Sequence, residues 1–254
     1  RAAALDARSL ESAWLSKRAG ASGGAHIREA RGRIGRRRYL QRRVDGRSVS
    51  ALFLANGRSA AVIGFSEQWA DAAPGAPFRY GGAVGPVPVV PELSLSVSDA
   101  LTRIVAETGL RGLASADMIL PQDGRGFVLL EINPRPGATL DLFDRAPWPS
   151  LLGLHLDACE GRLPAALRPT STIHGAAVVH ATTTVRPAAI ARPVWTADWP
   201  SCDDSVPAGA PTCTVVASGA SPAGVRALLA ERRSALLSLL RAAAPAPTNH
   251  KAPA

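Results

Sequence analysis

The sequence predicts an α+β protein in which antiparallel sheets carry packed helices. Three observations predict it. The stretch Ala116 to Arg135, ADMILPQDGRGFVLLEINPR, sets two apolar runs, Met118 to Leu120 and Phe127 to Leu130, about a Gln122-Asp123-Gly124 turn, the pattern of an antiparallel hairpin. Two further strand patterns, Ser48 to Leu54 and Ser59 to Phe65, are joined by Asn56-Gly57, the strongest short hairpin signal. Near the end, Ser221-Pro222 opens a stretch that places Val225, Leu228, Leu229, Leu236, Leu237 and Leu240 on one helical face.

In chain order, Ser12 to Lys17 reads as a short strand with Trp14 and Leu15 as its apolar part. It runs into a small-residue loop, RAGASGGAHI from Arg18 to Ile27. Glycines there let backbone N–H groups approach phosphate oxygens closely. Most such loops are plain turns, and this is not a Walker loop, because Lys17 precedes the glycines. The lysine beside it favours phosphate, since an ammonium is a compact point charge. Arg31 to Arg43, RGRIGRRRYLQRR, is strongly basic. It reads either as a nucleic-acid patch or as a solvated loop with an edge strand. With Tyr39 its only aromatic residue, the solvated reading is preferred, and Arg36, Arg37 and Arg38 are expected to be exposed. Tyr39 to Gly46 reads as a strand that ends at a glycine turn.

Ala70 to Pro91, rich in proline and glycine, reads as an irregular surface segment. Ser98 is placed to cap a helix through Leu101, Ile104 and Val105, which Gly109 ends. After the central hairpin, Leu140 to Arg145 and Pro149 to Cys159 read as helices, the second stopping at Gly161. His155, among apolar neighbours, reads as a packed helix residue and not as a catalyst. Ile173 to Ala181 and Thr212 to Ala217 read as strands, with proline-rich coil holding Trp195 and Trp199 between them. From Ala242 onward the Ala/Pro composition predicts disorder.

Bulk properties narrow the function. The 254 residues are 46% hydrophobic, enough for a sizeable core, and no apolar run reaches the length of a membrane span. Cys159, Cys202 and Cys213 show no metal spacing, which suits a reducing cytoplasm. The net charge of +9 comes almost wholly from arginine, with Lys17 and Lys251 the only lysines. Ala, Arg, Gly and Pro are abundant throughout, so the charge is discounted as a sign of nucleic-acid binding.

The polar ends of the central hairpin carry the chemistry. Glu131 and Asn133 lie two apart on one strand and therefore share a face. Antiparallel pairing can bring Asp117 opposite them. Three oxygen ligands in one patch suit a hard cation such as Mg²⁺. On spacing alone, an ordinary hairpin with polar ends in water fits equally well.

The order Lys17, small-residue loop, Gln41-Arg42-Arg43-Val44-Asp45-Gly46, Asp117, then Glu131-Ile132-Asn133-Pro134-Arg135 resembles the ATP-grasp superfamily. The E-x-N-P-R segment with an Asp fourteen residues upstream is the specific part. The likeness covers about residues 12–160. Within the superfamily the chain most resembles the predicted ATP-dependent carboligases related to tyramine–glutamate ligase. Pro207-x-Gly209 and Pro211-Thr212-Cys213-Thr214-Val215, within Pro200 to Leu240, are similar to the C-terminal part of those proteins.

The resemblance implies an ATP-grasp fold and a set of roles. Lys17 would contact the α- and β-phosphates of ATP, and Ser22, Gly23 and Gly24 would close over the β- and γ-phosphates. Arg42 to Val44 would form the adenine hinge through backbone groups, with Gln41 beside the base. The ribose would meet either Asp45 or Ser48, and that choice stays open. Asp117, Glu131 and Asn133 would hold one or two Mg²⁺ ions, and Arg135 would steady the transferred phosphoryl group or the acyl phosphate. The implied reaction joins a small-molecule carboxylate to an amine through an acyl phosphate, with neither nucleic acid nor membrane as partner. A non-catalytic remnant with weak nucleotide binding is the alternative, and a basic nucleic-acid-binding protein a second.

The sequence also departs from the family. Arg18 stands where a proline is usual after the lysine, and Arg42 and Arg43 occupy a hinge that usually carries an acidic residue. Only sixteen residues precede Lys17, where the family has an N-terminal domain, so the chain is expected to lack that domain. The expected divisions are a small subdomain at 1–46, a central subdomain with the metal site at 47–163, a C-terminal α+β subdomain at 164–243 and a disordered tail at 244–254.

Overall fold

Strand β4 (Gly46–Asn56) is the spine of the larger of two sheets, and every side chain from Val49 to Ala55 is buried. A central strand covered on both faces loses the apolar–polar alternation of a half-buried one. Each fully buried Leu or Phe on it is worth about 1.5–3 kcal/mol. The computed structural model describes residues 14–21, 23–122, 126–145, 149–166, 171–200 and 205–242. The 244–254 tail, Ser22, Cys202 and the Asp123-Gly124 turn lie outside them.

β1 (Trp14–Arg18), β2 (Arg28–Glu29) and β3 (Arg38–Arg42) form a small antiparallel sheet in the order β2-β1-β3. The larger sheet adds β5 (Ala60–Ala70), β6 (Tyr80–Gly85), β7 (Arg111–Pro121), β8 (Val128–Asn133), β9 (Ile173–His180), β10 (Thr196–Ala197) and β11 (Pro211–Gly219). Its order is β10-β11-β9-β6-β5-β4-β7-β8, antiparallel throughout. At the β4–β5 turn, Asn56 Oδ1 accepts the N–H groups of Arg58 and Ser59 at 3.0 and 2.8 Å.

Helices cover both faces. α1 (Pro91–Thr108) and α4 (Pro222–Ala242) lie on one, where Val97, Leu101, Val105, Val225, Leu229, Leu236 and Leu240 join Val49, Phe53, Met118 and Val215 in the main core. α2 (Leu140–Phe143) and α3 (Leu151–Cys159) cover part of the other, packing Leu142, Phe143, Leu151 and Leu154 on Leu52, Leu54 and Leu113. Ser221 Oγ accepts the Gly224 N–H at 3.1 Å and caps α4 as its sequence predicts. No helix among the described residues is long and apolar enough to cross a membrane.

Four expectations need correction. The segment Ala70 to Pro91 is not irregular throughout, because its stretch YGGAVG is β6, a central strand. Glycine looks like a loop residue but permits close packing here. A Cβ on Gly82 would lie 2.5 Å from both the Ala176 carbonyl oxygen and the Trp69 ring. Helix α1 begins at Pro91, with Ser98 in its interior; the alternation in LSLSVS masks the helical period. Its predicted end holds, since Gly109 is left-handed (φ 69°) with its N–H on Val105 O. Asp117 lies inside β7 and does not open it, because Gly112, Ala114, Ser115 and Ala116 are too small to show as an apolar run. Arg38, expected in solvent with Arg36 and Arg37, is half-buried. It donates to Ser16 Oγ and Ser16 O at 2.7 Å and to His26 O at 2.8 Å.

Candidate active site

The site lies on the face of the larger sheet that α2 and α3 partly cover, since Asp117 and Ser115 alternate in step with Leu113. Asp117 on β7 pairs directly with Glu131 on β8, and Ser115 with Asn133. The register shifts between Asp117 and Met118, where β8 carries one extra residue. Such a bulge bends the strand and re-aims the side chains beside it. Asn133 Nδ2 donates to Asp117 Oδ2 at 3.1 Å and approaches Glu131 Oε1 at 3.4 Å. The three side chains therefore converge, but Asn133 turns its nitrogen, not its oxygen, to the carboxylates. A half-turn of the amide exchanges the two.

The row continues inward. Ser50 pairs with Asp117, and Ser66 pairs with Ser50. Gln68, two residues beyond Ser66 and so on the same face, donates from Nε2 to Asp117 Oδ1 at 3.2 Å. Burial pushes the Asp117 carboxyl above the usual carboxylate range, with neighbouring Glu131 adding to the shift; the nearby Ser50 hydroxyl and the hydrogen bonds from Gln68 and Asn133 oppose it. Burial likewise raises the Tyr80 phenol, with Asp117 contributing. Gln68 and Tyr80 escape sequence reasoning. The strand pattern read from the sequence stops at Phe65, and Tyr80 falls in the segment read as irregular.

Lys17 comes from the other sheet. It pairs with Tyr39, and it is buried with only 6% of its surface exposed. Burial pushes its pKa down, while Glu131 and Asp117 pull it up. A buried ammonium is costly unless opposite charge offsets it, and here the charges on Glu131 and Asp117 do so in part. By the β1–β3 register, Gln41 lies on the Lys17 face, and its Oε1 is buried without a partner.

The small-residue loop follows Lys17. Gly23 and Gly24 both take left-handed backbone (φ 76° and 77°), which glycine adopts at no steric cost. The Tyr80 N–H donates to Gly23 O at 3.1 Å, so the loop lies against β6.

The remaining candidates are placed less centrally. Arg42 is exposed at the end of β3, and Val44 is half-buried. Asp45 is exposed and pairs with Arg43 at 3.2 Å. Ser48 lies two residues before Ser50 and shares the Asp117 face. Arg135 is exposed just past β8, with Nη1 on the Pro136 carbonyl at 3.2 Å. His155 is structural, as expected: its Nδ1 accepts the Leu113 N–H at 2.9 Å.

The donor set suits Mg²⁺. Among the described residues no three His, Cys, Asp or Glu side chains form a metal cage. The candidate set is instead two carboxylates and an amide, hard oxygen donors of the kind Mg²⁺ takes, and a raised carboxyl facing a second one is a place where a cation lowers the energy.

A small antiparallel sheet that carries Lys17 and leads into the glycine loop, beside a larger one that carries the acidic hairpin, is the arrangement of an ATP-grasp fold. The comparisons agree. The sequence matches the ATP-grasp domain family over residues 2–139, and the chain belongs to that family. Among curated proteins none matches. Among solved structures, an L-amino acid ligase from Bacillus licheniformis superposes with a TM-score of 0.67 at 14% identity, covering 87% of this chain and 62% of its own. A carboxyaminoimidazole ribonucleotide synthase from Aspergillus clavatus, solved with ATP, gives 0.69 at 12% identity, covering 92% and 64%. A phosphoribosylamine–glycine ligase from Thermotoga maritima gives 0.65 at 14%, covering 92% and 67%. The chain thus spans a little under two thirds of the first two.

Proposed function

We propose that this chain is the ATP-binding part of an ATP-dependent carboxylate–amine ligase that forms an amide through an acyl phosphate. The observation that carries the proposal is a buried lysine on the small sheet, Lys17, that feels the charges of Glu131 and Asp117 on the larger one. Phosphoryl transfer asks little covalent chemistry of a protein; it needs positioning and charge neutralisation. Lys17 supplies positive charge for the α- and β-phosphates, and the loop at Ser22, Gly23 and Gly24 supplies backbone N–H groups for the β- and γ-phosphates. Gln41 and the Arg42–Val44 backbone take the adenine, and Ser48, on the same sheet face as Asp117, is our candidate for the ribose over the exposed Asp45, which already pairs with Arg43. Asp117, Glu131 and Asn133 would hold Mg²⁺, which when bound neutralises phosphate charge. Arg135 steadies the phosphoryl group as it passes to the carboxylate.

The small-molecule acid and amine follow from the family reading. The solved relatives named as an L-amino acid ligase and a phosphoribosylamine–glycine ligase support it, as does the likeness to carboligases related to tyramine–glutamate ligase. The test is phosphate release from Mg²⁺-ATP across a panel of carboxylic acids and amines, with the product checked by mass spectrometry. Amide, ADP and phosphate in equal amounts are expected for one acid–amine pair. ATP binding without phosphate release for any pair would overturn the ligase reading.

A further inference from the structure

We infer that the segment from Asp71 to Tyr80 is a seat for the glycine-rich loop, and that Asp71, Arg79 and Arg233 are positioning residues for nucleotide binding that act through it. The inference rests on the nucleotide reading above.

Two contacts join loop and seat. The Tyr80 N–H donates to Gly23 O at 3.1 Å. Gly24 lies so close to the backbone of Phe78 that a Cβ would come within 1.8 Å of the Phe78 carbonyl oxygen. Gly24 is also left-handed, at φ 77°. Glycine is required there twice over, for its conformation and for the backbone approach. The loop that would cover phosphates therefore rests on a specific piece of the larger sheet.

The seat is itself braced. It is the irregular connection between β5 and β6, closed by the Ala73–Ala76 bridge and by the Asp71 N–H on Arg79 O at 2.8 Å. At its base the Asp71 carboxylate takes Arg79 Nη2 at 2.6 Å, Arg233 Nη2 at 3.0 and 3.2 Å, and His180 Nδ1 at 3.1 Å. Arg79 also donates through Nε to Asp71 O at 3.0 Å and approaches Gly209 O at 3.4 Å. One carboxylate thus ties the seat to β9 and to α4. None of these side chains is among the phosphate or metal candidates. Their shared feature is that they hold the ground on which the loop lies. Removing Asp71 leaves two guanidinium groups facing one another without their counter-charge.

The test compares the parent with Gly24→Ala and Asp71→Asn by two measurements. The first is backbone hydrogen exchange without nucleotide, read at the Tyr80 N–H and at the Ile27 N–H, which donates to Gly24 O at 3.0 Å. Protection is expected in the parent and lost in Gly24→Ala, with the β4 and β7 amides unchanged; Asp71→Asn should lose part of it. The second is ATP titration. Gly24→Ala should weaken binding by at least about tenfold, the scale of one charge-assisted hydrogen bond, with Asp71→Asn weakened less. A Tyr80 amide that exchanges as fast in the parent as in Gly24→Ala would overturn the seat. Equal ATP affinity in parent and Gly24→Ala would overturn its role in binding. A parent that binds no ATP overturns the nucleotide reading instead, and the exchange comparison alone then decides the seat.

Discussion

Lys17 and Asp117 belong to different sheets, and the charge on one acts on the other. Burial lowers the Lys17 pKa, and the charges on Glu131 and Asp117 oppose that fall only in part. Sequence neighbours cannot arrange this; it takes two strands a hundred residues apart, β1 and β7, brought together by the fold. A buried cation within the electrostatic reach of two carboxylates suits a polyanion that binds together with a second cation.

That arrangement makes the lysine the sharpest test of the site. If Lys17 has its proposed role, Lys17→Met should cost a charge-assisted hydrogen bond to phosphate, worth on the order of 2 kcal/mol or about thirtyfold in affinity. ATP titration of the variant against the parent measures it. Lys17→Arg should not restore affinity, because a planar guanidinium does not fit where a compact ammonium does. Equal affinities for Met variant and parent would remove Lys17 from the site.

The acidic pair separates binding from turnover. Glu131 is exposed and pairs directly with Asp117, so Glu131→Gln removes a charge without emptying a core position. The variant should lose Mg²⁺-dependent ATP turnover while its thermal unfolding stays close to the parent's. Turnover at the parent's rate would exclude Glu131 as a metal ligand.

The residues of the candidate site were more legible in the sequence than several of the strands around them. Asp117, Glu131 and Asn133 stand out because polar residues end or interrupt apolar strands, and pairing register brings them together as spacing suggested. Lys17 and the loop stand out by residue type. Strand β6 does not, because a central strand of glycine and alanine gains its stability from close backbone packing and carries no apolar signature. Gln68 and the Asp71 cluster were invisible for a related reason. Asp71 and Arg233 are 162 positions apart, and only sheet order and α4 packing make them neighbours.

His155 shows how a histidine in an apolar stretch can be structural. Its Nδ1 takes a strand N–H from Leu113, and its ring lies against Gly112, where a Cβ would come within 2.6 Å of it. His155→Phe keeps a ring but leaves a backbone donor unpaired, a cost of about 1–3 kcal/mol. Urea unfolding should show that loss, while ATP affinity stays unchanged. A variant as stable as the parent would mean that water replaces the imidazole.

His180 gives a pH dependence with a definite sign. It is buried, and burial lowers its pKa first, followed by the charge on Arg79; Asp71 opposes through its charge and hydrogen bond, and Arg233 adds a further lowering. The net shift is downward from the ordinary value of 6.5. The folded protein therefore holds the neutral ring, with Nδ1–H donating to Asp71 Oδ2, while the unfolded chain takes up a proton more readily. Stability must rise with pH where the unfolded state binds more protons. The contribution is whole above the ordinary histidine pKa and is lost as pH falls below it through the folded value. His174, lowered by burial and Arg145, acts in the same direction, so the parent alone does not isolate His180. His180→Asn keeps a donor toward Asp71 and removes the titration. The difference in unfolding free energy between parent and variant should shrink or change sign in the parent's disfavour as pH falls from 7 to 5. A difference that stays constant across that window would show that His180 titrates alike in the folded and unfolded chain.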